Sequence, residues 1–350
     1  MAEQSPTRIA EAVSKCSDVY DIMLKIEQRD ALESFCGGRD VFAILPTGYG
    51  KSMIYTLAPK VMDTLKDCSG SIVLVISPLI ALMKIKCRSA AKWNGVRTKE
   101  QIVRGKFQVV FSSPEAIMTR EWRRLLSSDV YQENLVGIAI DEAHCVYQWG
   151  HDFRREYARL KELRSIASKV PILALTATAP PKFRSVIINH LGMTDIQVIE
   201  AVLNRPNIFY AVKESNDITQ SFRWLIDDIR EQSEKTQKSI VYCRSIKSCG
   251  TLYRHFLNEL GSRAYINNEK CHYRVVRVVF AAVAFGMGVD VADVSLVIHW
   301  GAARSFDGFC QESGRAGRKA SIQAYSIIYF HGNNISTKST DTAICNNTVN

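Results

Sequence analysis

With 350 residues the chain is long enough for two or three domains, and its 47% hydrophobic and 23% charged fractions are those of an ordinary globular protein. The net charge of +10, from 45 Lys and Arg against 35 Asp and Glu, suits an anionic partner: nucleic acid first, an anionic membrane surface second. No apolar run approaches the roughly eighteen residues of a membrane span, and ten cysteines without a Cys-x-x-Cys pair speak against a disulfide framework or a zinc site. The first six residues carry no signal pattern, so an intracellular soluble protein is expected.

The first apolar run, Val41-Phe42-Ala43-Ile44-Leu45, reads as a buried strand; Pro46-Thr47-Gly48-Tyr49-Gly50-Lys51-Ser52 follows, with a helix starting at its end. A phosphate-binding loop needs this context. Backbone N–H groups around Gly48 and Gly50 can face phosphate oxygens, and the helix N-terminus favours negative charge. Lys51 then reaches the outer phosphates and Ser52 can ligate Mg²⁺. Leu45 stands where the usual loop opens with glycine, and a solvated strand-to-helix turn is the plain alternative for the segment alone. Runs at Ile72–Ser77 and Phe107–Ser112 come next; Ser77-Pro78 opens a stretch to Met83 that fits a core helix as well as a site.

Ninety positions after Lys51, the strand Val136–Ile140 ends in Asp141-Glu142-Ala143-His144. In a nucleotide hydrolase Asp141 would hold Mg²⁺ through water, and Glu142 would polarise the attacking water. The competing reading, a helix N-terminus complementing its dipole, fades behind a phosphate loop. His144 has no second ligand at zinc spacing and is expected to couple the nucleotide site to the neighbouring domain. Ile172–Leu175 leads into Thr176-Ala177-Thr178, whose hydroxyls are placed to bond the carboxylate–histidine segment.

A second series of runs occupies Phe209–Val212, Ile240–Cys243, Val275–Ala284, Leu296–His299 and Tyr325–Phe330. Continuous apolar strands alternating with helices predict an α/β protein, with two mostly parallel sheets carrying helices on both faces. The Pro- and Asn-rich break at 203–207 separates them. The expected organisation is an N-terminal segment 1–18, an ATP-binding lobe 19–205, a C-terminal lobe 206–331 and a poorly ordered polar tail 332–350. Ala284–Asp290 is a glycine-rich strand exit. In Gln311-Glu312-Ser313-Gly314-Arg315-Ala316-Gly317-Arg318, arginines three apart are expected on one face of a helix. Glycines at 314 and 317 suit a backbone approaching phosphate better than a plain surface helix. Arg318 therefore reads as a finger that the second lobe lends to a γ-phosphate held by the first.

Taken in order, Gln28, Pro46–Ser52, Ser77–Met83, Asp141–His144, Thr176–Thr178, Ala284–Asp290 and Gln311–Arg318 resemble superfamily-two helicases, specifically the RecQ family. The match is most specific at the aromatic-rich loop His144-Cys145-Val146-Tyr147-Gln148-Trp149-Gly150-His151-Asp152-Phe153-Arg154; Asn204-Arg205-Pro206-Asn207 is also RecQ-like. The resemblance runs from Val19 to Phe330. It implies two RecA-like lobes, ATP and Mg²⁺ as cofactors, and ATP-driven 3′-to-5′ unwinding. The implied partner is single-stranded and partly duplex DNA in the nucleus, with no membrane role and with protein partners undefined.

The same resemblance assigns roles to residues. Catalysis falls to Lys51, Asp141, Glu142, Arg315 and Arg318, and the metal to Ser52 and Asp141. Nucleotide binding falls to Gln28 (on adenine), Thr47, Gly48, Gly50, Lys51, Ser52 and Asp290. DNA binding and coupling fall to His144, Trp149, Phe153, Arg154, Thr176, Thr178 and Gln311. A base stacked on Trp149 or Phe153 gains about 1–3 kcal/mol whatever its identity, and the polar residues around them make the loop a poor candidate for burial.

Departures from the family are also visible. Lys84-Ile85-Lys86 replaces an acidic residue and glutamine, and Ala264–Asn267 lacks a histidine–glycine continuation. Only 42 positions separate Cys243 from Phe285, which predicts a shortened second lobe in which the helix after Asn267, leading to the strand before Ala284, is largely missing. No zinc-binding or winged-helix domain follows Phe330, so no zinc is expected. A degenerate or truncated RecQ-like protein that binds nucleotide or DNA without unwinding is the alternative.

Overall fold

The computed structural model describes residues 5–78, 99–146, 157, 159–202, 205–215, 217–261, 266–267, 277–282, 293–318 and 321–330. The chain divides into two compact units, Met1–Leu203 and Asn204–Asn350, each built on its own six-stranded parallel sheet.

In the first unit the strands are β1 (Asp40–Ile44), β2 (Ile72–Ile76), β3 (Val109–Ser112), β4 (Leu135–Asp141), β5 (Ile172–Thr176) and β6 (Ile196–Glu200). They lie in the order β3-β2-β4-β5-β1-β6. Every residue of β1, β2, β4 and β5 is buried, as expected of strands covered on both faces. Successive side chains point to opposite faces, so each strand feeds two cores. Val41, Ala43, Val73, Val75, Leu173 and Leu175 pack under three helices, α1 (Pro6–Val19), α2 (Ile26–Cys36) and α3 (Lys51–Lys66). Phe42, Ile44, Leu74, Ile138 and Ile140 pack on the other side, against elements that include α4 (Pro181–Leu191). Ser5 starts α1 by accepting from the Arg8 N–H, with Pro6 at the first helical position. The ring of Phe35 on α2 lies over Gly137 of β4, where an added Cβ would come within 2.2 Å of it. This contact sets how closely α2 approaches the sheet.

The second unit contains β7 (Ile208–Glu214), β8 (Lys238–Cys243), β9 (Ile266–Asn267), β10 (Val278–Ala282), β11 (Val294–Trp300) and β12 (Ala324–Phe330), ordered β7-β12-β11-β8-β10-β9. Two amphipathic helices, α5 (Ile218–Gln232) and α6 (Ile246–Leu260), bury Phe222, Leu225, Ile229, Leu252 and Phe256 on one face, against Val241, Leu296 and Ile298. Asp217 and Ser245 cap these helices by accepting from Gln220 N and Ser248 N. A shorter helix, α7 (Phe306–Ser313), precedes β12.

All ten strands expected from apolar runs are present, with ends moved by one to three residues. Two more were not anticipated. In β6 only Ile199 is fully buried, and β9 is two residues long, so neither carries a continuous apolar run. The spacing after Cys243 holds α6, β9 and β10, and the helix expected to be largely missing would follow Asn267, where 268–276 lie outside the described residues. The segments around Lys84–Lys86 and 332–350 lie outside the described residues.

Candidate nucleotide site

The sheet of the first unit brings the sequence-predicted residues to one edge. Strand β5 lies between β1 and β4, with Ile44 level with Thr176 and Asp141 level with Leu175. The loop after β1, the threonines after β5 and the carboxylates ending β4 therefore share the carboxyl edge. Two strand spacings, about 10 Å, separate the outer two. Carboxyl edges of open parallel sheets are where such folds bind ligands.

The loop itself depends on glycine. Gly48 and Gly50 have φ of +80° and +89°, a region that costs an L-residue energy. Gly50 caps the sixteen-residue α3, which begins at Lys51 and carries Ser52 in its first turn. The first four N–H groups of any α-helix have no intrahelical acceptor, so this end can receive an anion. The Lys51 ammonium donates to the Leu45 carbonyl at 2.9 Å and to the Pro46 carbonyl at 3.4 Å, folding back along the loop. Thr47 is half-buried and Gly48 exposed.

Gln28 faces the loop backbone. Its Oε1 accepts from Lys25 N at 2.9 Å, while its Nε2 donates to the carbonyls of Tyr49 at 2.8 Å and Gly50 at 3.1 Å. Only 4% exposed, it fixes the glycine turn from below. Two neighbours join it. The Tyr49 hydroxyl donates to the Glu27 carboxylate, and the Lys25 ammonium lies 3.8 Å over the Tyr49 ring. The Tyr49 bond is the main cause holding the Glu27 carboxyl below its usual range. Burial, then the bond to Glu27, pushes the Tyr49 phenol up to about 12.

Asp141 is buried at the end of β4, and Glu142 follows with φ of +54°, a left-handed conformation uncommon for a non-glycine residue. Such strain collects at functional sites. Glu142 Oε2 is buried and lies 3.5 Å from His144 Nδ1, within ion-pair range but without a hydrogen bond. His144 Nδ1 is 3.1 Å from Thr176 Oγ1. The Thr176 hydroxyl donates to the Thr178 carbonyl at 2.8 Å, so toward His144 it accepts, which assigns a proton to Nδ1. Ser52 and Asp141 supply one hydroxyl and one carboxylate oxygen, a donor set suited to Mg²⁺, which is commonly held by one or two carboxylates plus substrate phosphates. Among the described residues no group of three His, Cys, Asp or Glu forms a metal cage.

In the second unit the structure corrects one expectation. Arg315 and Arg318 are not on a helical face: α7 stops at Ser313, and both arginines lie in the turn that follows. The chain turns away because the Gly317 N–H bonds the Val294 carbonyl of β11 instead of continuing the helix. Gly317 has φ of +55°, and a Cβ there would fall 2.6 Å from Asn207 Nδ2 and 2.9 Å from Ala324 Cβ. Arg205 and Asn207, which belong to the RecQ-like segment at the expected boundary, hold this turn. Arg205 donates to the carbonyls of Ala316 and Gly317. Asn207 donates to those of Gly317 at 2.8 Å and Ile322 at 2.9 Å. Glu312 bonds His299 Nε2 at 3.0 Å, and Ser313 bonds Ser326 at 2.8 Å, so the end of α7 is tied to β11 and β12. Arg315 is buried, and burial draws the Arg318 guanidinium below its ordinary value. Tyr242 lies close enough to both for their charge to oppose the burial that pushes its phenol up to about 12. Gln311 is half-buried on α7. The signal that was available is the unusual Arg-Pro-Asn triplet, whose donors reach carbonyls 110 residues on.

Trp149, Phe153, Arg154 and Asp290 lie outside the described residues, as do 79–98 and 283–289. Glu27 lies outside every motif the sequence marked, as does His299; Tyr49, Arg205, Asn207 and Glu312 stood inside quoted motifs without a role of their own.

Comparison with known proteins agrees with this geometry. The DEAD/DEAH box helicase family matches residues 25–186, and the helicase conserved C-terminal domain matches 220–320. The ATP-dependent helicase SGS1 of Saccharomyces cerevisiae is 34% identical over 347 residues, covering 89% of this chain and 23% of that protein. The ATP-dependent DNA helicase RecQ of Haemophilus influenzae is 31% identical, covering 87% and 50%. The RecQ-like DNA helicase BLM of Xenopus laevis is 31% identical, covering 87% and 24%. The chain thus spans between about a quarter and half of the length of these relatives. Among solved structures, the helicase MrfA bound to DNA and AMPPNP superposes with a TM-score of 0.70 at 16% identity, covering 93% of this chain and 50% of that one. S. cerevisiae Dbp5 bound to RNA and ADP BeF3 gives 0.70 at 15%, covering 96% and 90%. Both establish the fold of paired helicase-type sheets. No helix among the described residues is long and apolar enough to cross a membrane.

Proposed function

The chain belongs to the DEAD/DEAH box helicases of RecQ type, and from that premise we propose that it is an ATP-dependent DNA helicase core moving 3′ to 5′ on single-stranded DNA, with partly duplex DNA as substrate and the nucleus as its place of action. The observation that carries the reading is the level arrangement of three strand ends, which lines up Lys51, Thr176 and Asp141-Glu142 along one sheet edge. A bound nucleotide's phosphates would rest on the glycine turn and the start of α3, with Lys51 leaving the Leu45 and Pro46 carbonyls for phosphate oxygens. Mg²⁺, held by Ser52 and through water by Asp141, would supply charge to the outer phosphates. Glu142 then takes a proton from the attacking water. Its buried oxygen beside a histidine proton on Nδ1 gives it a defined direction. Gln28 serves the site by holding the turn, and contacts adenine from the same position; Thr47, Gly48, Gly50 and Asp290 complete nucleotide binding.

His144, Thr176 and Thr178 form one hydrogen-bonded string that begins beside Glu142 and reaches the next strand end, a route by which DNA contact biases hydrolysis. Trp149, Phe153, Arg154 and Gln311 provide that contact, and Arg315 and Arg318 stabilise the transferred phosphate. The test is a steady-state ATPase titration of the purified chain with single-stranded DNA, and with RNA alongside, at one salt concentration. ATP turnover stimulated by DNA and not by RNA, lost in Glu142→Gln, is the expected result. Nucleotide binding with no turnover would favour the non-unwinding alternative.

A further inference from the structure

We infer that Tyr49 and Glu27 are a positioning pair that latches the phosphate loop to the start of α2, so that the glycine turn is already set for a nucleotide polyphosphate before one binds. The inference rests on the nucleotide reading above and adds to it a role for Tyr49, at the loop's variable position, and for Glu27, which no motif marks. Three contacts of different kinds join the same two segments. The Gln28 amide donates to the Tyr49 and Gly50 carbonyls. The Tyr49 hydroxyl donates to the Glu27 carboxylate. The Lys25 ammonium sits over the Tyr49 ring. The first fixes the turn's backbone, whereas the second and third fix the one large side chain in it.

The chemistry of the pair suits a latch. A neutral phenol donating to an ionised carboxylate makes a charge-assisted bond, stronger than one between neutral groups. Glu27 takes the Tyr49 hydroxyl and Lys25 lies over its ring, so the two opposite charges offset each other and add no net negative charge beside the loop. A loop of glycines at positive φ gives up much conformational freedom when it orders. Setting it beforehand removes that cost from the binding step, which is how preorganisation raises affinity.

The pair predicts coupled, not additive, effects. Tyr49→Phe keeps the ring and deletes the hydroxyl; Glu27→Gln keeps the shape and deletes the charge. Each should weaken binding of a fluorescent ADP in Mg²⁺ buffer by about three- to tenfold, toward the low end because both groups are partly exposed. The double variant should bind no more weakly than either single, since the bond can be lost only once. Lys25→Gln should weaken binding by about two- to fivefold, and Lys25→Arg should restore it. Thermal unfolding without nucleotide checks that each variant is folded; Glu27→Gln at the partly exposed end carries the test should Tyr49→Phe not fold. Singles that bind like the parent, or a double whose loss is the product of the two, would overturn the latch. A parent chain that binds no ADP would overturn the nucleotide reading, and the latch with it.

Discussion

Placing a methyl group on Gly50 separates backbone strain from the Gln28 contact. Gly50→Ala forces alanine to φ near +89°, and left-handed backbone costs an L-residue about 1–2 kcal/mol. The new Cβ would also sit 2.5 Å from Gln28 Nε2, so the carboxamide must withdraw. Withdrawal breaks its bonds to the Tyr49 and Gly50 carbonyls and leaves a buried amide with donors unmet, which costs about 1–3 kcal/mol. The sum is about 2–5 kcal/mol against the first unit. Urea unfolding of parent and variant, followed by circular dichroism without nucleotide, measures it. The same substitution is then made in a Gln28→Ala background, where nothing remains to be displaced; there its cost should fall to about 1–2 kcal/mol, the backbone share alone. Equal costs in the two backgrounds would refute the reasoning, because the Gln28 contact would then contribute nothing to the turn.

Glu142→Gln should retain ATP binding and lose hydrolysis, read by equilibrium nucleotide titration beside phosphate release; turnover at the parent rate would remove Glu142 from the chemistry. Arg318→Ala should lower ATP turnover by on the order of 10³ or more, as arginines do on transferred phosphates, while DNA affinity measured by fluorescence anisotropy stays near the parent value. Trp149→Ala should leave DNA-free ATPase intact and abolish most of its stimulation by single-stranded DNA. It should cost binding no more than about 1–3 kcal/mol, the worth of one stacked base.

The sequence exposed most of the fold because strands of covered parallel sheets read as continuous apolar runs, and ten of the strands described carry one, although β7 leaves Phe209 and Tyr210 exposed. β6 escaped because an edge strand with Gln197 and Glu200 in it need not be apolar throughout. The phosphate loop was legible for a different reason: its glycines satisfy a backbone requirement set within seven residues. The Tyr49–Glu27 contact joins positions 22 apart through residue types that have many other uses, so no spacing rule could reveal it. The arginine turn shows the reverse error. A spacing of three does place side chains on one helical face, but the helix stops at Ser313, and the turn after it is held by the Gly317 N–H bond to Val294 and by Asn207 from 110 residues away.

The position of β1 in its sheet constrains how the protein is made. Among the described residues its strand neighbours are β5 and β6, paired with it at positions 132 and 156 further along the chain. At a synthesis rate of about 5–20 residues per second, roughly 6–30 s pass between the emergence of β1 and that of its first partner. For that interval the nascent chain displays Val41-Phe42-Ala43-Ile44-Leu45 with both edges unpaired, the kind of segment that seeds aggregation. The phosphate loop is therefore translated well before the strands that seat β1 beside it. Translation halted before about residue 170 would release a chain whose phosphate loop follows a strand with neither neighbour in place.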